Sequence, residues 1–495
     1  MADEIDPNDP SVPSAAYTYM QPKWHRAATL LEGTEAMRRV GETYLPRHEH
    51  ESDHNYNERL GTAVLYNYYE LTLDTLSSKP FTDPVKVGEK VPDAMKELFD
   101  DIDLQGNNLT VVAHNWFKES MNKGLSHMLI DMPAMNEAEK ENRTKEDDNI
   151  EKRRPYWVPI KPENVIAIYE ESVGGGAVQL RQVRIYEPIE TMVGFSVMVV
   201  ERIRVLEPGK WTVYEKIEDP RTKKPKWKIV EEGETSLPII PLVTFYTDKE
   251  GTMLSKPPLE DLGHLNVRHW QSNSDQINIL TVSRFPMLAV SGAVDFDNTA
   301  MAIGPRQLLG MRDPQGKFYY VEHTGKAIES GRNELIDLED AMASYGADFL
   351  KRRPGNSSAT ARALDGVQSI SKLQDLAMRF EDAMNAALFI TAMWLNIDKE
   401  EIGKIEVVKN YDGISLADAD LRTLLQARTN RDISRNTFIR ELQRRGNLDD
   451  SINPDEETAA ILAEQDTLEG MLPVGLNVTG NRKGGKQPGG GKNGE

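Results

Sequence analysis

Residues 259–284, LEDLGHLNVRHWQSNSDQINILTVSR, hold no proline and a single glycine, and their spacing predicts one uninterrupted helix that follows Pro257–Pro258 and stops before Pro286. At ~1.5 Å per residue it would be roughly 39 Å long. Its apolar groups (Leu259, Leu262, Leu265, Val267, Trp270, Ile277, Ile279 and Leu280) are spread around much of the circumference. A helix of that length needs cover on several sides. Either a central place in an α domain or packing against the same helix of a second copy supplies it. The stem-like positions Leu262, Leu265, Trp270, Ile277 and Leu280 are the ones expected at such a contact between copies.

A second long helix is expected over 334–353 (ELIDLEDAMASYGADFLKRR), broken by Pro354–Gly355, and a third over 369–396. The third carries Leu373, Leu376, Ala377, Phe380, Met384, Ala387, Leu388 and Trp394 at helical spacing. Between the first two, residues 287–328 show short strand signals (MLAVSG, RQLLGM, KFYYVEH) and read as a small α/β module. Between the second and third lies a loop of small polar residues, RPGNSSATARALDG.

Upstream, helical spacing appears over 15–45, divided at Gly33 and ended at Gly41. A strong helix follows at 56–78, then helices near 92–101 and 108–122. LSHMLIDMP reads as a buried strand stopped by Pro133. Residues 136–154 are almost wholly charged or polar and read as an exposed insertion. From 156 to 246 the pattern changes to strands with Gly and Pro turns, a β-rich region. Past 405, KIEVVKNYDG is a strand candidate, and 416–428, 435–444 and 458–469 are helix candidates. The tail is rich in Gly and Lys.

Composition excludes several classes. There is no cysteine, so disulfides, thiol chemistry and Cys-based zinc sites are out. No run of apolar residues is long enough for a membrane span, and the acidic, Pro-rich start lacks the features of a signal peptide. A formal net charge of −20 opposes tight binding to a nucleic-acid backbone, though not the passage of DNA nearby. His48, His50 and His54 lie among Glu49, Glu51 and Asp53, a mixture that metals use but that also makes an ordinary solvated surface; no metal site and no cofactor are expected. Gly480 to Lys486 fits the spacing of a phosphate loop but lacks the Ser or Thr that should follow and the flanking strand and helix. Asp100, Asp101 and Asp103, and Asp418 and Asp420, read as caps or solvated faces. No catalytic constellation emerges.

The order of elements, two long helices flanking a small module, then a polar loop and a third long helix, resembles the layout of tailed-bacteriophage portal proteins, the head-to-tail connectors. Segments similar to one portal family long carried as a domain of unknown function include Trp24 with Gly41-Glu-Thr-Tyr-Leu-Pro46, Tyr56-Asn-Glu-Arg59 with Tyr66-Asn67, and Gly124–Pro133. PPLEDLGHLNVRHWQSNSDQ at 257–276 and SSATARALDG at 357–366 also match. The insertion at 136–154 and the tail depart from the family.

The resemblance implies an α+β, mainly α fold in a closed homo-oligomeric ring of about twelve copies. It divides the chain into an N-terminal arm (1–14), a wing (15–258, helical over 15–132 and β-rich over 155–248), a stem helix (259–284), a clip (285–328) and a second stem helix (329–353). A tunnel loop (354–370), a long helix with a wing return (371–430), crown helices (431–470) and a flexible tail (471–495) complete it. Asn356, Ser357, Ser358, Thr360 and Arg362 would face double-stranded DNA passing non-specifically. Lys351, Arg352 and Arg353 are further channel contacts, although cations at a helix C-terminus also suit its dipole. Arg312, Phe318, Tyr319 and Tyr320 would dock partners at the clip. The implied partners are the terminase large subunit, the head-tail adaptor, the major capsid protein and the scaffold, in a virion assembled in the host cytoplasm. The alternatives are another neck or tail protein, and a metal-dependent hydrolase.

Overall fold

Helix starts in this chain are set by side chains that replace missing backbone partners. In the computed structural model, which describes residues 9–133, 153–176, 178–218, 225–284, 287–291, 315–321, 325–350 and 371–409 with short stretches between 424 and 459, the chain forms two units, Met1–Lys409 and Asn410–Glu495. The first unit begins with α1 (Ala15–Glu32), where the Ser14 hydroxyl accepts from the Tyr17 N–H, and α2 (Thr34–Val40), entered through Gly33 at φ +83°. α3 (Asp53–Thr62) is capped in the same way by Ser52.

One helix over 56–78 was the expectation, and the structure divides it. α3 ends at Ala63, and α4 (Tyr68–Ser78) starts afresh at Asn67, whose side chain accepts from the Glu70 N–H and donates to the Leu30 carbonyl at 2.7 Å. Asn67 and Glu70 are a cap pair of ordinary type. The helix expected over 92–101 shrinks to α5 (Asp93–Lys96) and a 3₁₀ turn at Phe99–Asp101. Asp103 there accepts from the backbone of Gln105 and Asn107, and Asp101 from that of Gly106, so these acids shape a loop. α6 (Leu109–Lys123) ends at Gly124 in the left-handed conformation, φ +88°. Here only glycine suits: a Cβ would also sit 3.0 Å from the Pro257 nitrogen.

The strands, in chain order, are β1 (Lys86–Val87), β2 (Leu125–Asp131), β3 (Tyr156–Ile160), β4 (Val165–Ser172), β5 (Val178–Tyr186), β6 (Ile189–Val193), β7 (Ser196–Val200) and β8 (Arg202–Glu207). They continue with β9 (Lys210–Glu218), β10 (Pro225–Glu234), β11 (Leu242–Tyr246), β12 (Lys249–Gly251), β13 (Leu254–Ser255), β14 (Met287–Ser291), β15 (Lys317–Val321) and β16 (Ile405–Glu406). A five-stranded sheet has the order β10-β9-β8-β5-β4, and a three-stranded one the order β11-β2-β3. β12–β13, β6–β7, β14–β15 and β1–β16 form small pairs, and every pairing among the described residues is antiparallel. No closed barrel occurs among the described residues.

Three long helices follow the β-rich region: α7 (Glu260–Ser283), α8 (Lys326–Asp348) and α9 (Lys372–Trp394). α9 is the core helix. Leu373, Leu376, Ala377, Phe380, Met384, Ala387 and Leu388 are all buried on it, as its spacing predicts, while Trp394, the last of the expected positions, is half-buried. The Phe380 ring packs edge-on to Phe81, Trp116, Phe117 and Phe245, which joins α9 to α6 and β11. The Trp157 indole donates to Thr391 Oγ1 and the Trp394 indole to the Ile130 carbonyl, both at 2.9 Å, so the same helix is tied to the three-stranded sheet. A second core, with Met20, Trp24, Leu125, Val165, Val183 and Ile185, joins α1 to the sheets.

Within the second unit, residues 424–429 and α10 (Arg435–Arg444) are helical, and Ile439 on α10 is buried. The helix expected over 416–428 is described only from residue 424, and most of 458–469, with Asp418, Asp420 and the tail, lies outside the described residues. The insertion at 136–154 is likewise outside them up to residue 152.

Candidate assembly site: the α7–α8 pair and the exposed elements beside it

α7 and α8 run antiparallel, as their cross-links show. The Tyr345 hydroxyl donates to the Pro258 carbonyl at 3.0 Å, Arg268 pairs with Glu334 at 2.8 Å, and Gln276 Nε2 donates to the Ile328 carbonyl at 2.9 Å. α8 begins eight residues before the expected start at 334. Gly331 lies inside the helix where α7 crosses closely, and a Cβ there would collide with the Gln276 amide oxygen.

The two helices differ in how far their own chain covers them. α7 is largely satisfied at home. Leu262 and Trp270 are 0% exposed, so the expectation that they pack between copies is corrected: their places are in this chain's own core. Leu265, Ile277 and Leu280 are half-buried. The polar residues of α7 explain why the helix turns inward. Asn266 is buried, accepts from the Tyr69 N–H at 2.9 Å, and donates to the Tyr66 carbonyl at 2.9 Å. Asn273, seven residues on and so on the same face, donates to the Val64 carbonyl at 3.1 Å, and Gln271 to that of Tyr44 at 3.0 Å. These amides supply the hydrogen bonds that the interrupted stretch 63–67 between α3 and α4 lacks. Sequence reasoning passed over them because it followed the apolar positions; the amides spaced seven apart in an apolar helix were the available signal.

α8 is the opposite case. It is 23 residues long, roughly 35 Å at 1.5 Å per residue. Met342 is its one buried residue among those described. Ile336 is exposed, and so are Ala343 and Ala347. Gly346 lets it approach α4, where a Cβ would stand 3.2 Å from Thr72 Cγ2. Val64 and Tyr66, in the segment that leads into α4, and Leu71 on α4 are exposed.

The loop before α3, weighed as a metal ligand set, is engaged in another way. Arg59 and Glu51 are both buried and form two parallel hydrogen bonds of 2.8 Å, while Arg59 also donates to the Pro46 carbonyl. The Arg59 guanidinium and the His48 N–H hold the Glu51 carboxyl down to about 2. Asp275 of α7 receives His48 at 3.1 Å and Arg59 at 3.6 Å. His50 lies exposed beside Glu49. Among the described residues no three His, Asp or Glu side chains converge as a metal site, and no helix is long and apolar enough to cross a membrane.

The clip expectations fall in part on β14–β15, whose register sets Leu288 opposite Tyr320, Ala289 opposite Tyr319 and Val290 opposite Phe318. Tyr319 is half exposed. The side chains of Phe318 and Tyr320, and the whole of Arg312, lie outside the described residues. So do Lys351, Arg352, Arg353, Asn356, Ser357, Ser358, Thr360 and Arg362.

A family model described as a domain of unknown function (DUF4055) matches residues 258–395, the stretch from α7 to the end of α9. No curated protein matches the chain. Among solved structures, a chain from the virion of a native gene transfer agent particle is 10% identical, with a TM-score of 0.39, covering 82% of this chain and 97% of that one. A chain from the neck of the empty particle, computed with C6 symmetry, is 10% identical at 0.39 and covers 77% and 89%. One from the neck of the native particle, computed with C12 symmetry, is 9% identical at 0.39 and covers 76% and 89%.

Proposed function

We propose that this chain is a structural, ring-forming portal subunit of a tailed-phage-like particle, with no catalytic residues of its own. Copies close into a ring at one capsid vertex. DNA passes through the ring during filling and ejection, and the face carrying β14–β15 receives first the packaging motor and then the head-tail adaptor. The ATPase chemistry belongs to the motor protein. The observation that carries this reading is α8: a helix that long, with one buried side chain among those described and an exposed apolar edge beside it, is incomplete in a single chain. A sister copy completes it, and heterologous contacts of that kind close into rings. The resemblance in the order of segments from Trp24 to residue 366 supports reading that ring as a portal.

Native mass measurement tests it. The purified chain is expected to form a closed multiple of the 55.8 kDa subunit. Ile336→Arg, on the exposed side of α8, should leave the melting temperature unchanged. It should raise the concentration needed for assembly about tenfold, the equivalent of ~1.4 kcal/mol per contact. A wild-type chain that stays monomeric at high concentration contradicts the proposal.

A further inference from the structure

Between β5 and β8 the chain leaves the five-stranded sheet, runs out through β6 and back through β7, and turns at Gly194–Phe195 with Gly194 at φ +65°. The register pairs Ile189 with Val200, Thr191 with Met198 and Val193 with Ser196 on one face, and Glu190 with Val199 and Met192 with Val197 on the other. Both faces are therefore largely apolar. A hairpin with one face in water alternates apolar and polar residues; apolar side chains on both faces mark strands covered on both sides. Here neither face is covered. Met192, Val193, Phe195, Val197, Met198 and Val199 are 53% to 109% exposed. Two strands alone are marginal in water.

We infer that the β6–β7 hairpin inserts into a neighbouring copy of this chain and is one of the contacts that hold the assembly together. From Pro188 to Val200 there is no Lys or Arg, and Glu190 is the one charged residue. A nucleic acid would need cations there, and an anionic membrane surface would need a basic flank, so the occupant is protein. The six side chains leave on the order of 700 Å² uncovered, close to one partner's ~800 Å² share of a standard interface. A second copy also offers an apolar surface for it, at Val64, Tyr66 and Leu71, as a heterologous ring contact requires. The inference rests on the reading that copies of the chain associate, and adds which element clasps the neighbour.

Two variants of the full chain test it. In the first, Ile189–Val200 is replaced by an Asn-Gly turn. The β5–β8 pairing, where Tyr186 faces Ile203 and the Glu187 N–H donates to the Arg202 carbonyl, lies outside the excised part and keeps the sheet closed. This variant should melt like the parent yet fail to assemble at concentrations where the parent does. In the second, Phe195→Cys gives the chain its sole cysteine. Maleimide should label it at least tenfold more slowly in the assembled particle than in dissociated subunits. Assembly of the shortened chain into the parent's particle, or labelling in the particle at the free rate, overturns the inference and leaves the ring reading standing. A parent chain that never self-associates overturns the ring reading itself.

Discussion

Replacing Asn266 by leucine is expected to lower the free energy of unfolding by about 2 kcal/mol. The shapes are similar, so little is lost in packing. What is lost is both ends of the amide. The Tyr69 N–H, which Asn266 engages at 2.9 Å, would be left without a partner beside a fully buried position, while the Tyr66 carbonyl would keep only the Tyr68 N–H. Each orphaned buried group costs ~1–3 kcal/mol. Asn266→Asp should not recover the loss: its carboxylate still accepts from Tyr69, but it is a buried charge with one oxygen set against the Tyr66 carbonyl. Urea titrations of the three chains measure this. Equal stability of the leucine variant and the parent would mean that α7 is not anchored through this residue.

Acidification is expected to destabilise the chain through His127 before its carboxylates titrate. His127 lies on the central strand of the three-stranded sheet, fully buried, with Nδ1 2.8 Å from Thr244 Oγ1 and Nε2 without a partner. Burial disfavours the imidazolium and brings the group from its ordinary 6.5 down to about 3. The unfolded chain takes up a proton as pH falls below 6.5, whereas the folded chain does not until near 3. The stabilisation is therefore complete above 6.5 and is lost progressively below it, by about 3 kcal/mol at pH 4. Stability of His127→Leu should fall less steeply over that interval. Parallel slopes for the two chains would show that the histidine is protonated, or exposed, in the folded state.

Much of the architecture was legible in the sequence because it is written in periodicity. The apolar positions of α9, the alternating strands after 156 and the bounds of α10 are local patterns that tertiary contacts reinforce. The breaks were less legible. Leu60, Ala63, Val64, Tyr68 and Leu71 keep an apolar rhythm, so one helix was expected where Asn67 caps a new one and α7 amides serve the gap. The start of α8, eight residues before 334, was not legible either, and Gly331 inside it is a contact with α7. The largest revision concerns which helix wants a neighbour. An apolar circumference pointed to α7, yet Leu262 and Trp270 lie in the chain's own core, because α7 packs against α1, α3 and α4, far away in sequence. α8, the second of the two long helices, is the one left uncovered. The β6–β7 hairpin fell inside the β-rich region expected over 156–246 but was not set apart from it: SVMVVERIRVLE ran β7 and β8 together, and no pattern in the sequence says that nothing covers the hairpin.

Averaged electron-microscope images of the purified, assembled chain, viewed along the particle axis, test most directly whether sister copies complete α8. The account predicts a closed ring of identical subunits around an open channel, with rods of density from α8 lying against adjacent subunits. Compact single particles, or rings in which α8 faces solvent on all sides but that of α7, would contradict it.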